Sequence, residues 1–198
     1  MLDIRPYHAS DLPRLYEICL KTGDSGKDAT GQVDPELLGH FFAAPYVFHD
    51  PGLAFIATRN GDPVGYIVGT TDSRTFATWC ETHWFPVLRT RYPIPAEADT
   101  TLTAAMIRAI HRGYEAEDLA DDYPAHLHID LLPAGQGTGL GRRLIDVFEA
   151  ALKGRGVPAL HFGVSGANKR AQGFYQHLGF ETLMSGERGA IFGRRLDG

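Results

Sequence analysis

"GQGTGLGRRL", Gly135–Leu144, is the stretch on which the fold turns. Glycines stand at 135, 137, 139 and 141, between the run "AHLHIDLLP" (Ala125–Pro133) and a helical pattern. The run alternates and then becomes fully apolar, as a central strand does. From Gly139 to Leu152, the residues Leu140, Leu144, Ile145, Val147 and Phe148 fall on one helical face. A strand, a glycine turn and a helix in that order present bare N–H groups at a helix N-terminus, where the dipole favours an anion. Gly137, Gly139 and Gly141 let a phosphate approach without a Cβ in the way, and Arg142 and Arg143 add charge. The alternative is a tight connection with no ligand. No Lys-Ser/Thr pair follows, which argues against a Walker loop, and no acidic residue ends the next strand as a dinucleotide fingerprint requires.

Outward from this turn, Leu2–Arg5 reads as a first strand. A helix follows, with Ser10 and Asp11 as cap candidates, Leu12, Leu15, Ile18 and Cys19 on one face, and Gly23 at its end. Gly23–Pro35 is a polar loop and Glu36–Phe42 a second helix. Leu53–Thr58 and Val64–Thr71 form a hairpin around Asn60-Gly61, a preferred turn pair. Thr75–Arg91 is aromatic and ambiguous. The next segment is helical in part, with Ala105, Ile107 and Ile110 as core candidates. Ala159–Val164 is a strand, Asn168–Leu178 a short helix, and "GAIFGRRL" (Gly189–Leu196) a last strand. The order βααββ, an insertion, then βαβαβ describes an α/β (α+β) fold around a mixed, mostly antiparallel sheet. Residues 1–198 are expected to form a single domain with an insertion around 72–124.

The composition narrows the function. Nineteen Lys and Arg against 24 Asp and Glu give −5, which argues against a nucleic-acid binder and is compatible with a cationic partner. Cys19 and Cys80 make neither a disulfide framework nor a zinc pattern and read as reduced core residues. The N-terminus has no signal layout and no apolar run approaches membrane-spanning length, so no membrane is expected and the cytoplasm is the default.

Two separated motifs add a resemblance. Pro133-x-x-Gln136-x-x-Gly139-x-Gly141, followed by Asn168 and by Tyr175-x-x-x-Gly179-Phe180, resembles the GNAT family of N-acetyltransferases, over His126–Phe180. The resemblance implies a GNAT fold with helices on both faces of the sheet and strands splayed at a cofactor cleft. It implies acetyl-CoA as cosubstrate, with Ile129, Asp130 and Leu131 along the pantetheine arm. Gln136, Gly137, Thr138, Gly139, Leu140, Gly141 and Arg142 would hold the pyrophosphate, and Asn168 and Tyr175 would contact the cofactor. "YEICLKTGDSGKDATG" (Tyr16–Gly31), "GYIVGTTD" (Gly65–Asp72) and "CETHWFPVLRTRYP" (Cys80–Pro93) are further similar to the acetyltransferase-like C-terminal domain of eukaryotic O-GlcNAcases. That domain looks like a pseudoenzyme without a usable acetyl-CoA loop. This chain departs from it by keeping Gln136, Gly137, Gly139 and Gly141.

Acetyl transfer needs a polarised carbonyl, a deprotonated amine and a protonated leaving thiolate. By resemblance a backbone N–H near Leu131 polarises the carbonyl and Tyr175 is the general acid; the alternative for Tyr175 is a core ring. His126, His128 and Asp130 alternate and so share one strand face. His128 and Asp130 are candidate catalytic groups, against the alternative of a polar row satisfied by its neighbours. A His-x-His metal site lacks further ligands, so no metal is expected. Many members of the family carry a Glu where Gly163 stands.

For the acceptor, a small-molecule or peptide amine, the candidates are Asp24, Asp28, Glu81 and Trp84. A carboxylate beside an aromatic suits a cationic amine. The alternatives are a solvated turn for the two aspartates and core packing for the tryptophan. Two functions compete: an N-acetyltransferase acting on a primary amine, and an acetyl-CoA-binding or protein-interaction module without catalysis. Monomer and homodimer both remain open.

Overall fold

The computed structural model describes residues 1–115 and 118–196. Strand β1 (Leu2–Pro6) leads into helix α1 (Leu12–Thr22), then α2 (Leu37–Phe42) and α3 (Ala44–His49). The hairpin β2 (Ala54–Arg59) and β3 (Asp62–Thr70) follows. Asn60 and Gly61 both take positive φ, 56° and 91°, as a two-residue hairpin turn requires. Then come α4 (Ser73–Trp79), one π-helical turn (Cys80–Trp84), α5 (Phe85–Arg91) and α6 (Leu102–Arg112). The chain closes with β4 (Ala125–Leu131), α7 (Leu140–Lys153), β5 (Ala159–Ser165), α8 (Lys169–His177), β6 (Glu181–Gly186) and β7 (Gly189–Arg195).

The seven strands lie in the order β1-β2-β3-β4-β5-β7-β6. Every neighbouring pair is antiparallel except β4 and β5. Alternation along the strands feeds two cores. Ile56, Tyr66 and Val68 pack under α1–α3, while Ala57, Ile67 and Leu127 pack under α7 and α8. Helix α7 places Leu140, Leu144, Ile145, Phe148 and Leu152 in the second core, and each side chain so buried contributes roughly 2 kcal/mol.

Two sequence expectations need correction, and two elements carried no signal that the sequence reading used. In α6 Ile110 is buried and Ile107 packs half-buried against the core, as expected, but Ala105 is exposed and the rest of the buried stripe is Ala104, Met106 and Ala109. Asp11 does not cap α1. It accepts a hydrogen bond from His8 N at 2.9 Å and pairs with Arg5, closing a capping box one turn earlier. Helix α3 was hidden by Pro45, which occupies the first turn, where its missing N–H is harmless. Strand β6 was hidden because it is an outer strand with almost no buried face.

Candidate functional site

The site begins where the sheet comes apart. Strands β4 and β5 pair only at Ala125↔Leu160 and His126↔His161, and beyond that rung they diverge. Leu132 N donates to Val64 O at 2.9 Å, and the register Tyr66↔Asp130 and Val68↔His128 is unbroken. The even-numbered residues of β4 therefore turn their backbone to β3, and Leu127, Ile129 and Leu131 turn theirs to the gap. Gln136 Nε2 occupies Leu131 O at 2.8 Å, and Arg170 Nη1 donates to Gln136 Oε1 at 2.6 Å. Gln136 thus braces the turn from both ends of its amide.

The glycine turn closes the open end of the gap. Gly137 and Gly139 have φ of 72° and 82°, and a Cβ on either would meet nothing within 4 Å. The first amide of this stretch to find a backbone carbonyl is Arg143 N, which donates to Gly139 O at 3.2 Å; those of residues 137–142 have none among the described residues. These amides open onto a cleft of about 910 Å³. Ile129, Asp130, Leu131, Gln136, Gly137, Gly139, Gly141, Arg142, Asn168 and Tyr175 all line it. Thr138 and Leu140 do not. Thr138 Oγ1 donates to Gly135 O at 2.6 Å, and the Leu140 side chain is in the core. Asn168 caps α8 by accepting from Ala171 N at 3.1 Å.

Four cations face this cleft: Lys27, Arg142, Lys169 and Arg170. Asp130 is the one acid among its lining residues. In a chain of net charge −5 this is a local reversal suited to a polyphosphate. Sequence reading missed Lys27 with its neighbours Thr22, Ser25 and Gly26, and also Lys169 and Arg170. The first group reaches the cleft only because the loop after α1 folds against the end of β5 and the Asn168 cap of α8, with Ser25 Oγ 3.1 Å from Ser165 Oγ and Gly26 beside the Asn168 side chain. The basic pair directly after Asn168 was a signal that could have been used.

Tyr175 is buried among Phe162, Phe174, Phe180 and Phe192, yet its hydroxyl makes no hydrogen bond to the described residues. Burial, aided by the Asp130 carboxylate, pushes its pKa up and keeps it protonated at neutral pH. Asp130 accepts from Tyr66 Oη at 2.5 Å; burial raises its own pKa, and the Tyr66 bond opposes that rise.

His126, His128 and Asp130 do share one face of β4, turned towards α1–α3. His126 is fully engaged. Ser73 Oγ donates to Pro124 O at 2.8 Å, so it accepts from His126 Nδ1–H at 2.7 Å, and Tyr46 Oη donates to His126 Nε2 at 2.8 Å. His128 has no hydrogen-bond partner among the described residues, and burial lowers its pKa to about 4. It faces a second cavity of about 200 Å³ at the closed end of the gap.

The four acceptor candidates are not brought together. Glu81 pairs with Arg89 at 2.6 Å on the surface. Trp84 Nε1 donates to His40 O at 2.8 Å and its ring lies beside Phe48. Asp28 accepts from Thr30 N at 2.8 Å in a local turn that holds its carboxyl below the usual range. The Asp24 backbone bridges to Lys27. None of the four lines either cavity. Among the described residues no group of three or more His, Cys, Asp or Glu is placed to hold a metal ion, and no helix is long and apolar enough to cross a membrane.

Residues 24–180 match the acetyltransferase (GNAT) family. The chain is 24% identical over 180 residues to protein O-GlcNAcase of Rattus norvegicus, which covers 89% of this chain and 20% of that protein. It thus spans about a fifth of the length of this relative. The crystal structure of SsHAT superposes with a TM-score of 0.92 at 35% identity, covering 100% of this chain and 99% of the other. The putative acetyltransferase yncA of Salmonella typhimurium, solved with its cofactor acetyl-CoA, shares the fold at 15% identity and a TM-score of 0.58, over 99% of this chain and 94% of that one. With the glycine turn at the open end of a splayed sheet, and the family's pattern across most of the sequence, the chain belongs to the GNAT family of acetyltransferases.

Proposed function

We propose that this chain transfers an acetyl group from acetyl-CoA to a primary amine. The observation that carries the reading is the free edge of β4 running into a turn whose six successive amides lack a backbone acceptor among the described residues. Acetyl-CoA supplies the activated thioester. The amides of Gly137–Arg142 and the side chains of Arg142, Lys27, Lys169 and Arg170 hold the pyrophosphate and ribose phosphate end. The N–H groups of Ile129 and Leu131 pair with the pantetheine arm as a neighbouring strand would, and one of them polarises the thioester carbonyl. Asn168 contacts the arm from the start of α8.

Tyr175 keeps its proton until the leaving thiolate takes it, held in that state by burial with the Asp130 carboxylate aiding. His128, unprotonated at neutral pH and without a hydrogen-bond partner among the described residues, accepts the proton of the incoming amine directly or through water. A pKa near 4 makes it a weak base that passes the proton on to solvent water, from which Tyr175 regains the proton it gave to the thiolate. His126 is too tightly held for this role. Residues 72–124 act as an insertion in one domain, contributing Tyr114 and Glu115 to the inner cavity. The two free buried cysteines fit a reducing compartment such as the cytoplasm.

Gly163 supports a second reading. It puts no carboxylate on β5, as suits a module that holds acetyl-CoA without turning it over. Calorimetry with acetyl-CoA and with CoA, followed by CoA release against an amine panel, separates the two. Binding with release establishes the transferase. Binding with no release for any amine leaves the module, and no binding removes both.

A further inference from the structure

The cavity at the closed end of the gap is walled mainly by rings. Phe42, Tyr46, Tyr114, Phe162 and Ile191 supply its apolar surface. The polar groups are few. His126 is locked between Tyr46 and Ser73, and His161 Nδ1 is bonded to Tyr123 O at 2.6 Å. That leaves His128 and Glu115, the one acid among the lining residues. Gly163 sits on the same face of β5 as His161, two residues along. A Cβ on Gly163 would meet no atom within 4 Å, and its backbone is outside the left-handed region. The strand could carry a side chain there without strain, and the cavity stays open because it carries none.

We infer that this cavity seats the apolar body of the acetyl acceptor, which is a small primary amine bearing a ring or a branched aliphatic group. The inference rests on the acetyl transfer proposed above. A volume of about 200 Å³ equals roughly seven waters of liquid, far more than an acetyl group alone fills. Ring walls with a few placed polar groups are how a protein selects a compact apolar ligand and fixes its orientation. His128 is placed to hydrogen-bond the amine nitrogen, with the body lying against Phe42 and Tyr114. A linear polyamine would need carboxylates along its length, and only Glu115 is offered. A lysine stem would leave most of the ring-lined volume unfilled.

The test is binding of 2-phenylethylamine to the CoA-saturated protein by saturation-transfer NMR, with spermidine and an end-capped lysine as comparators. Saturable binding of 2-phenylethylamine, tighter than either comparator, is expected. Gly163→Leu, which fills the open space, should weaken it at least tenfold while CoA affinity stays within twofold. If Gly163→Leu loses CoA binding through misfolding, Gly163→Ala takes its place, with a weakening of two- to threefold expected. No saturable binding in the parent, preference for spermidine or lysine, or equal amine binding in a CoA-competent Gly163 variant overturns the inference. These failures leave the cofactor reading intact, whereas a parent that does not bind CoA removes both.

Discussion

The two cavities lie end to end along β4, and they are built from different material. The outer one is made of backbone: a free strand edge, a glycine turn and the start of a helix, with cations around the mouth. The inner one is made of side chains from α2, α3, the start of α4, the segment just after α6, β4, β5 and β7, most of them aromatic. Backbone binding tolerates changes at neighbouring side chains and fails when a Cβ intrudes. Ring-walled binding does the reverse: it ignores most backbone detail and responds to volume and burial. The outer cavity is therefore suited to a ligand common to a whole family, and the inner one to a ligand particular to this chain.

The largest effect expected from this contrast concerns His128. Its pKa is about 4 in the fold, against about 6.5 in an unfolded chain. Below pH 6.5 the unfolded chain takes up a proton that the fold refuses until about pH 4, so stability falls as pH falls through that window. The loss is about 3 kcal/mol by pH 4, at 1.36 kcal/mol per unit. Urea unfolding across this range should show it, and His128→Leu should flatten the slope. His126, also held neutral by burial, keeps part of the slope in that variant. A parent whose stability is flat between pH 4 and 6.5 would mean that the inner cavity is wetter than its walls imply.

Next in size is Gly139→Asp, which adds a side chain at φ 82° and a negative charge at the start of α7. Acetyl-CoA affinity should drop about a hundredfold, or about 2.7 kcal/mol, by calorimetry. Unchanged affinity would show that the outer cavity does not bind through its backbone. Tyr175→Phe should lower turnover by about tenfold to a hundredfold and leave acetyl-CoA affinity within twofold. Equal turnover in a stopped CoA-release assay would return Tyr175 to the core. Smallest is Glu81→Ala. It removes an exposed ion pair with Arg89 and should cost at most about 1 kcal/mol in thermal unfolding, with no change in turnover.

The contrast also explains what the sequence could disclose. The outer cavity was legible because its parts are contiguous: Ala125–Pro133, the glycines and α7 follow one another, and turn chemistry is written in residue types. Most of the regular elements were legible for the same reason, through periodicity and breakers. The inner cavity was not, since Phe42, Tyr114 and Ile191 meet only after the sheet forms. Glu81 and Trp84 drew attention as a carboxylate near a ring, but that pattern served an ion pair and a core bond. Strand β6 and helix α3 escaped because one has no apolar face and the other starts with a proline.

Only two rungs join β4 to β5. The sheet is in effect two plates, β1–β4 and β5–β7, tethered at one corner, with the helices rather than the ladder keeping them aligned. Amides of Ile129 and Leu131 should then exchange with solvent deuterium faster than those of Asp130 and His128, a two-residue alternation in the middle of the molecule. A protein normally guards such an open edge at its periphery. Here it is interior, sheltered by the rings and cations on either side, and it presents the two plates with a slot that is complete only when another strand-like chain lies in it.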